Sequence, residues 1–217
     1  ERRAAYAELR DVEPFTRCGT RIQVMMNAGL RDDLTTLSLV GADGIGLFRT
    51  EFQFLVAATL PGREKQTRFY KDVLDAAGDK PVVFRTVDIG GDKAVPYVSS
   101  DSGLQDENPA MGWRALRLAL EREGLFKAQA RALIEASGGR TLRVMFPMVS
   151  EPWEFDAARK VFEEQREFLR KHKRIRPPEE IEYGAMIEVP SLVEVLDMLV
   201  PKVSFLSVGT NDLTQLL

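Results

Sequence analysis

The sequence predicts a parallel α/β sheet curled into an incomplete (β/α)8, or TIM-type, barrel, and three observations carry that prediction. Strand-like and helix-like segments alternate along the whole chain. Several strand-like runs are apolar with little alternation, as expected of strands covered on both faces. Charged residues recur just past the strands: Arg49, Arg85, Glu188 and Asp212 follow the second, third, fifth and sixth of six predicted strands. A barrel gathers its functional groups at the carboxy ends of its strands. An open doubly wound sheet uses one crevice instead, so four charged ends on four strands suit a ring better.

The elements are justified in order. Arg2 to Leu9 reads as a short polar helix that Pro14 ends, so residues 1–20 are expected to be a connector and residues 21–217 the barrel. The first strand is placed at Ile22 to Met26, followed by a helix from Leu30 to Val40 with Leu34, Leu37 and Val40 on one face. The second strand is Gly44 to Phe48. Its glycines sit inside the strand, not between strand and helix, so a dinucleotide-binding loop is rejected. Arg63 to Ala77 is amphipathic and Gly78 is a good helix stop. The third strand, Pro81 to Phe84, runs into Arg85-Thr86-Val87-Asp88 and a glycine-loosened loop that carries Asp92 and Lys93.

Residues 94–107 read as irregular, with helices expected from Met111 to Glu123 and from Leu125 to Ser137. Leu142 to Phe146 is the fourth strand and Glu154 to Lys173 a long helix with a basic tail. Ile181 to Ile187 is the fifth strand, Ser191 to Leu199 a helix, and Val203 to Val208 the sixth strand. A closed barrel needs eight strands. Six are found, so the chain reads as about three quarters of a barrel with unpaired edges on its first and last strands.

Composition excludes several classes of function. The 217 residues carry 30 basic and 33 acidic side chains, a net charge of −3, which gives no footprint for nucleic acid. No apolar run approaches the ~20 residues of a membrane span. Cys18 is the one cysteine, so no internal disulfide forms and a reducing cytoplasm is the expected location. One cysteine and one histidine cannot build a zinc cluster. The basic tail around His172 complements the dipole of its helix, and His172 is not expected to be catalytic.

Arg49 and Arg85 leave neighbouring strands about 4.8 Å apart and could converge on a phosphate or carboxylate. Glu188 and Asp212 could likewise converge, and two adjacent carboxylates repel unless a cation lies between them. Oxygen donors favour Mg²⁺ or Mn²⁺ over zinc. The bland alternative pairs each arginine with a nearby carboxylate, such as Glu51 or Asp88, to hold loops together. Asn211 and Asp212 have a bland alternative too, as caps of the last helix. Spacing leaves both alternatives open.

Four stretches resemble a known family: Gly44-Ile45-Gly46-Leu47-Phe48-Arg49-Thr50-Glu51-Phe52, Arg85-Thr86-Val87-Asp88-Ile89-Gly90-Gly91-Asp92-Lys93, Glu107 to Arg114, and Ser207 to Gln215. The family is phosphoenolpyruvate–protein phosphotransferase, Enzyme I of the bacterial phosphotransferase system. Met186 to Leu192 looks more like its nitrogen-related branch. The resemblance implies a (β/α)8 barrel that binds phosphoenolpyruvate (PEP) and Mg²⁺. Arg49 and Arg85 would hold PEP, with Asn211 on the phosphate, Glu188 and Asp212 on the metal, and Lys93 and Arg114 lining the same mouth.

It also implies a homodimeric parent that passes the phosphoryl group to a histidine in a separate domain, then to a histidine-containing phosphocarrier protein. That histidine is expected before residue 1. A further substrate-binding arginine and the enolate-protonating cysteine are expected beyond Leu217; neither His172 nor Cys18 matches their motifs. The chain by itself is therefore expected to be inactive. In the parent, Arg85→Ala is expected to abolish transfer while leaving the fold intact. Pyruvate phosphate dikinase, phosphoenolpyruvate synthase and a non-catalytic module on the same barrel are the competing readings.

Overall fold

In a computed structural model, the described residues are 9–10, 12–57, 59–90, 114–172 and 175–217. Six parallel strands pair in sequence order: β1 (Met25–Ala28), β2 (Gly44–Arg49), β3 (Val82–Arg85), β4 (Leu142–Phe146), β5 (Ile181–Ile187) and β6 (Phe205–Val208). Between them run α1 (Arg31–Leu39), α2 (Phe52–Leu55), α3 (Arg63–Ala77), α4 (Ala115–Glu121), α5 (Glu123–Ser137) and α6 (Pro152–His172). The short α7 (Pro190–Glu194) and α8 (Leu196–Leu199) precede β6, and α9 (Thr210–Leu216) follows it. The order of strands matches the sequence reading, which lacked the short α2 and had one helix where α7 and α8 stand, and the sheet is a curled partial barrel.

Two apolar layers line the sheet. Toward the helices lie Ile45, Phe48, Val82, Phe84, Val144, Phe146, Tyr183 and Ala185, in one cluster with Tyr70, Phe126, Leu133, Phe155 and Phe162. The concave side holds a second cluster of Val83, Met145 and Met186, with Leu47 and Phe205 against it. The period-2 alternation of β-strands divides the residues this way. The same alternation sends Arg85, next after Phe84, and Glu188, next after Ile187, to the concave side.

Arg49 reaches that side only because β2 bulges. Met26 pairs with Ile45 and Asn27 with Leu47, which leaves Gly46 as an extra residue. The insertion lets Ile45 and Phe48, an odd number of steps apart, both face the helices. Arg49 then lies in register with Arg85. Glycine suits the bulge, since a Cβ at position 46 would approach the Met25 Cβ to 3.0 Å.

β1 starts three residues later than Ile22, where the apolar pattern places it. Polar contacts occupy the backbone before Met25. Ile22 donates to the Pro14 carbonyl, Val24 donates to an Asp43 carboxylate oxygen at 2.7 Å, and Asp43 donates back to the Val24 carbonyl. The expected helices from Leu30, Met111 and Glu154 are found as α1, α4 and α6, with shifted ends. The expected connector helix, the irregular stretch 94–107 and Lys93 lie outside the described residues, wholly or nearly so.

β1 and β6 are the edges of the sheet. Around them Ile22, Val24, Val200 and Val208 are exposed apolar side chains. No helix among the described residues is long and apolar enough to cross a membrane.

Candidate functional site

Five chain segments meet at the carboxy ends of the strands. β2 delivers Arg49, Thr50 and Glu51. β3 delivers Arg85 and the loop to Asp88. Arg114 stands just before α4, Glu188 just after β5, and Asp212 in the first turn of α9.

Arg85 is buried, with 6% of its surface exposed. Its Nη2 donates to Glu51 and lies 3.3 Å from an Asp88 oxygen, and its Nη1 is 4.0 Å from the Met186 sulfur. Arg114, equally buried, grips Asp88 with two parallel bonds of 3.1 Å from Nε and Nη2. Its Nη1 reaches Asp212 at 3.3 Å. One guanidinium thus ties the loop after β3 to the helix after β6. In a flat sheet those strands would stand roughly 14 Å apart, three strand spacings. The Arg114 bridge is therefore a measure of how far the sheet curls.

Arg49 differs from its neighbour. It is half-buried and stacks on the Phe52 ring, with 4.5 Å from its guanidinium carbon to the ring centre. No ion pair is formed by Arg49 among the described residues. The Nε groups of both Arg49 and Arg85 are buried and unpartnered, as is one oxygen of Glu51. Buried polar atoms without partners are rare in folded proteins. Here they gather at the ends of adjacent strands.

Glu188 is 1% exposed. Burial pushes its carboxyl up to about 7; the Met148 N–H and Arg85 hold it back, while Asp212 and Asp88 push it further up. Its Oε1 accepts from Met148 at 2.7 Å. Met148 has φ of +52°, an uncommon value for a side chain other than glycine, and in that conformation its N–H meets the acid. Gly209 gives the carboxylate room from the other side, since a Cβ there would come within 2.7 Å of Glu188 Oε2.

Asp212 is not a helix cap. Gly209 holds that position, and Asn211 and Asp212 lie within the first turn of α9. The alternative of local pairing holds for Arg85, which binds both Glu51 and Asp88, and not for Arg49. One expectation is corrected. Arg85→Ala cannot leave the fold untouched, because Arg85 is buried and its removal strands the buried Glu51 and takes one of two arginines from Asp88.

The sequence reading named Arg49, Arg85, Arg114, Glu188 and Asp212, and the structure brings all five to one mouth. It missed Thr50 and Gln129, which brace that mouth from behind. The available signal was a glutamine on the apolar stripe of α5, between Phe126 and Leu133. His172 is exposed, far along α6, bonded through Nδ1 to the Phe168 carbonyl and stacked on its ring.

With this geometry established, similarity to known proteins is decisive. The sequence profile of the family described as "PEP-utilising enzyme, PEP-binding domain" matches residues 3–217. The chain belongs to the PEP-utilising enzyme family. It is 41% identical over 215 residues to phosphoenolpyruvate-protein phosphotransferase of Lactococcus lactis subsp. cremoris, covering 98% of this chain and 37% of the relative. The enzyme of the same name from Staphylococcus carnosus is 42% identical over 208 residues, 96% of this chain and 36% of that one. The Enterococcus faecalis protein of that name is 39% identical over 217 residues, 99% and 37% respectively. The chain thus spans little more than a third of the length of these relatives.

Proposed function

We propose that this mouth binds phosphoenolpyruvate together with Mg²⁺, and that the chain serves as the substrate-binding barrel of a phosphoenolpyruvate–protein phosphotransferase. The observation that carries the reading is the pair of buried, unpartnered guanidinium Nε donors of Arg49 and Arg85, set opposite the acids Glu188 and Asp212. The family profile and the names of the relatives agree with it.

The residues present fit the metal. Glu188 and Asp212 each use one oxygen on a protein donor. Among the described residues no group of three acid, histidine or cysteine donors forms a closed cage. Mg²⁺ takes one or two carboxylates and fills its remaining positions with water and substrate phosphate. When bound there, it neutralises phosphate charge.

The chain's own residues position the substrate. Arg49 and Arg85 offer Nε–H groups to the anionic substrate, and Glu51 and Asp88 keep the Arg85 fork from swinging away. Asn211 stands in the first turn of α9 beside Asp212, and its role on the phosphate is assigned by resemblance. Lys93 is assigned to the same mouth by resemblance alone. Transfer breaks the bond between phosphorus and the enol oxygen and forms one to an attacking nitrogen, so catalysis is mostly positioning and charge neutralisation.

His172, the chain's one histidine, is remote from the mouth, so the acceptor histidine comes from elsewhere in the parent enzyme. The chain alone binds substrate without turnover. In the parent, a homodimer, the phosphoryl group passes on to a histidine-containing phosphocarrier protein. The exposed free thiol of Cys18 suits a cytoplasmic protein.

Calorimetric titration with PEP, with and without Mg²⁺, tests the proposal. Binding heat that requires the metal, and that disappears in Arg49→Ala, is the expected result. Metal-independent binding, or none, overturns it. The dikinase and synthase alternatives use the same barrel, but the relatives named above are all protein phosphotransferases.

A further inference from the structure

Behind the mouth lies a hydrogen-bonded ring that no part of the proposed chemistry uses. Gln129, on α5, is fully buried. Its Oε1 accepts from the Val87 N–H at 3.0 Å. Its Nε2 donates to Thr50 Oγ1 at 3.0 Å and to the Tyr70 hydroxyl at 3.1 Å. Thr50 Oγ1 in turn donates to the Arg85 carbonyl at 2.8 Å. The circuit closes on itself: Thr50, the Arg85 carbonyl, the backbone to Val87, the Gln129 amide, and back to Thr50.

Each residue of that ring adjoins one the site needs. Thr50 lies between Arg49 and Glu51. Arg85 is itself in the ring, and Val87 precedes Asp88. Gln129 touches none of these four charged side chains through its amide. It fixes the spacing of the two strand ends that carry them.

An amide is the group the position requires. It must accept from a backbone N–H and donate twice, and glutamine does both. A carboxylate at 129 only accepts, so Thr50 would turn its proton away from the Arg85 carbonyl. A thioether fills the space and makes none of these bonds.

We propose that Gln129 is a positioning residue for the anion site, locking the ends of β2 and β3 so that Arg49 and Arg85 address one ligand. The inference rests on the proposed function. A bystander in the same network gives the control. The Tyr70 hydroxyl accepts from Gln129 and from Gln53 and donates to Gln66, whose amide caps the Pro61 carbonyl. Those bonds lie outside the ring. Tyr70→Phe therefore perturbs the same buried network and leaves the ring closed.

The experiment titrates the whole chain with PEP at fixed Mg²⁺ for the unmodified protein, Gln129→Met, Gln129→Glu, Tyr70→Phe, Thr50→Ser and Arg49→Ala, with a thermal melt of each. Gln129→Met and Gln129→Glu are expected to weaken PEP binding about tenfold, the scale on which displaced binding groups act. Thr50→Ser, which keeps the hydroxyl, and Tyr70→Phe are expected to bind within about twofold of the parent, even where the melting point of Tyr70→Phe falls as far as that of Gln129→Met. If both Gln129 variants bind PEP like the parent, or if affinity follows the melting point across the whole set, the inference fails while the site reading stands. If Arg49→Ala binds as the parent does, or the unmodified chain takes up no PEP, the site reading fails and this inference with it.

Discussion

The two sides of the mouth are built differently. On the β2–β3 side everything is held. Arg85 is buried between Glu51 and Asp88, Arg114 holds Asp88 with two bonds, and the Gln129 ring fixes the backbone beneath. On the β5–β6 side little is held. Glu188 is buried with one backbone donor, and Asp212 stands on a seven-residue helix at the sheet edge with 23% of its side chain exposed. The difference teaches that the arginine side is shaped before ligand arrives. The acidic side carries a cost that a cation relieves.

Four substitutions break or sharpen that contrast. The largest expected effect is from Arg85→Ala, which leaves the buried Glu51 without its cation and Asp88 with one arginine fewer, and should lower stability by about 3–5 kcal/mol in urea denaturation. Arg49→Ala, at a half-buried side chain with no ion pair among the described residues, should cost no more than about 1 kcal/mol, though both variants lose PEP binding. Equal losses of stability would mean that the buried pairs do not hold the β3 end.

Glu188→Gln comes next and has the opposite sign. The folded carboxyl titrates near 7, above its ordinary 4.5. Between those values the folded state binds more protons than the unfolded chain, so stability falls as pH rises through the window. The penalty is complete above pH 7 and amounts to at most about 3 kcal/mol. Without added metal, Glu188→Gln should therefore be more stable than the parent at pH 8 and alike at pH 4, while losing metal-dependent PEP binding. Melting curves at the two pH values read this out, and a variant less stable at pH 8 would contradict it.

The smallest stability effect is expected from Asp212→Asn. Its pairing with Arg114 is partly exposed, and Arg114 keeps Asp88, so the cost should stay under about 1 kcal/mol. Its effect should appear instead as a weaker response of PEP binding to Mg²⁺, measured by titrating the metal.

Much of this was legible in the sequence. The continuous apolar runs from β2 to β6 announced a sheet covered on both sides, and the charged residues after them marked the mouth. Three features were hidden for physical reasons. Apolar content cannot show that Asp43 has taken the backbone before Met25, so β1 was set too early. Alternation cannot reveal the extra residue at Gly46, which decides the side Arg49 faces. Nor does local spacing disclose that Arg85 is buried against Glu51, since the two are 34 residues apart. Partners distant in sequence turned a loop-facing charge into part of the core.

A crystal structure of this chain with PEP and Mn²⁺, a metal located by its anomalous scattering, tests the central claim most directly. The account predicts the metal about 2.1–2.2 Å from carboxylate oxygens of both Glu188 and Asp212, with the PEP anion on Arg49 and Arg85. A metal bound elsewhere, or PEP lying away from those two arginines, would contradict it.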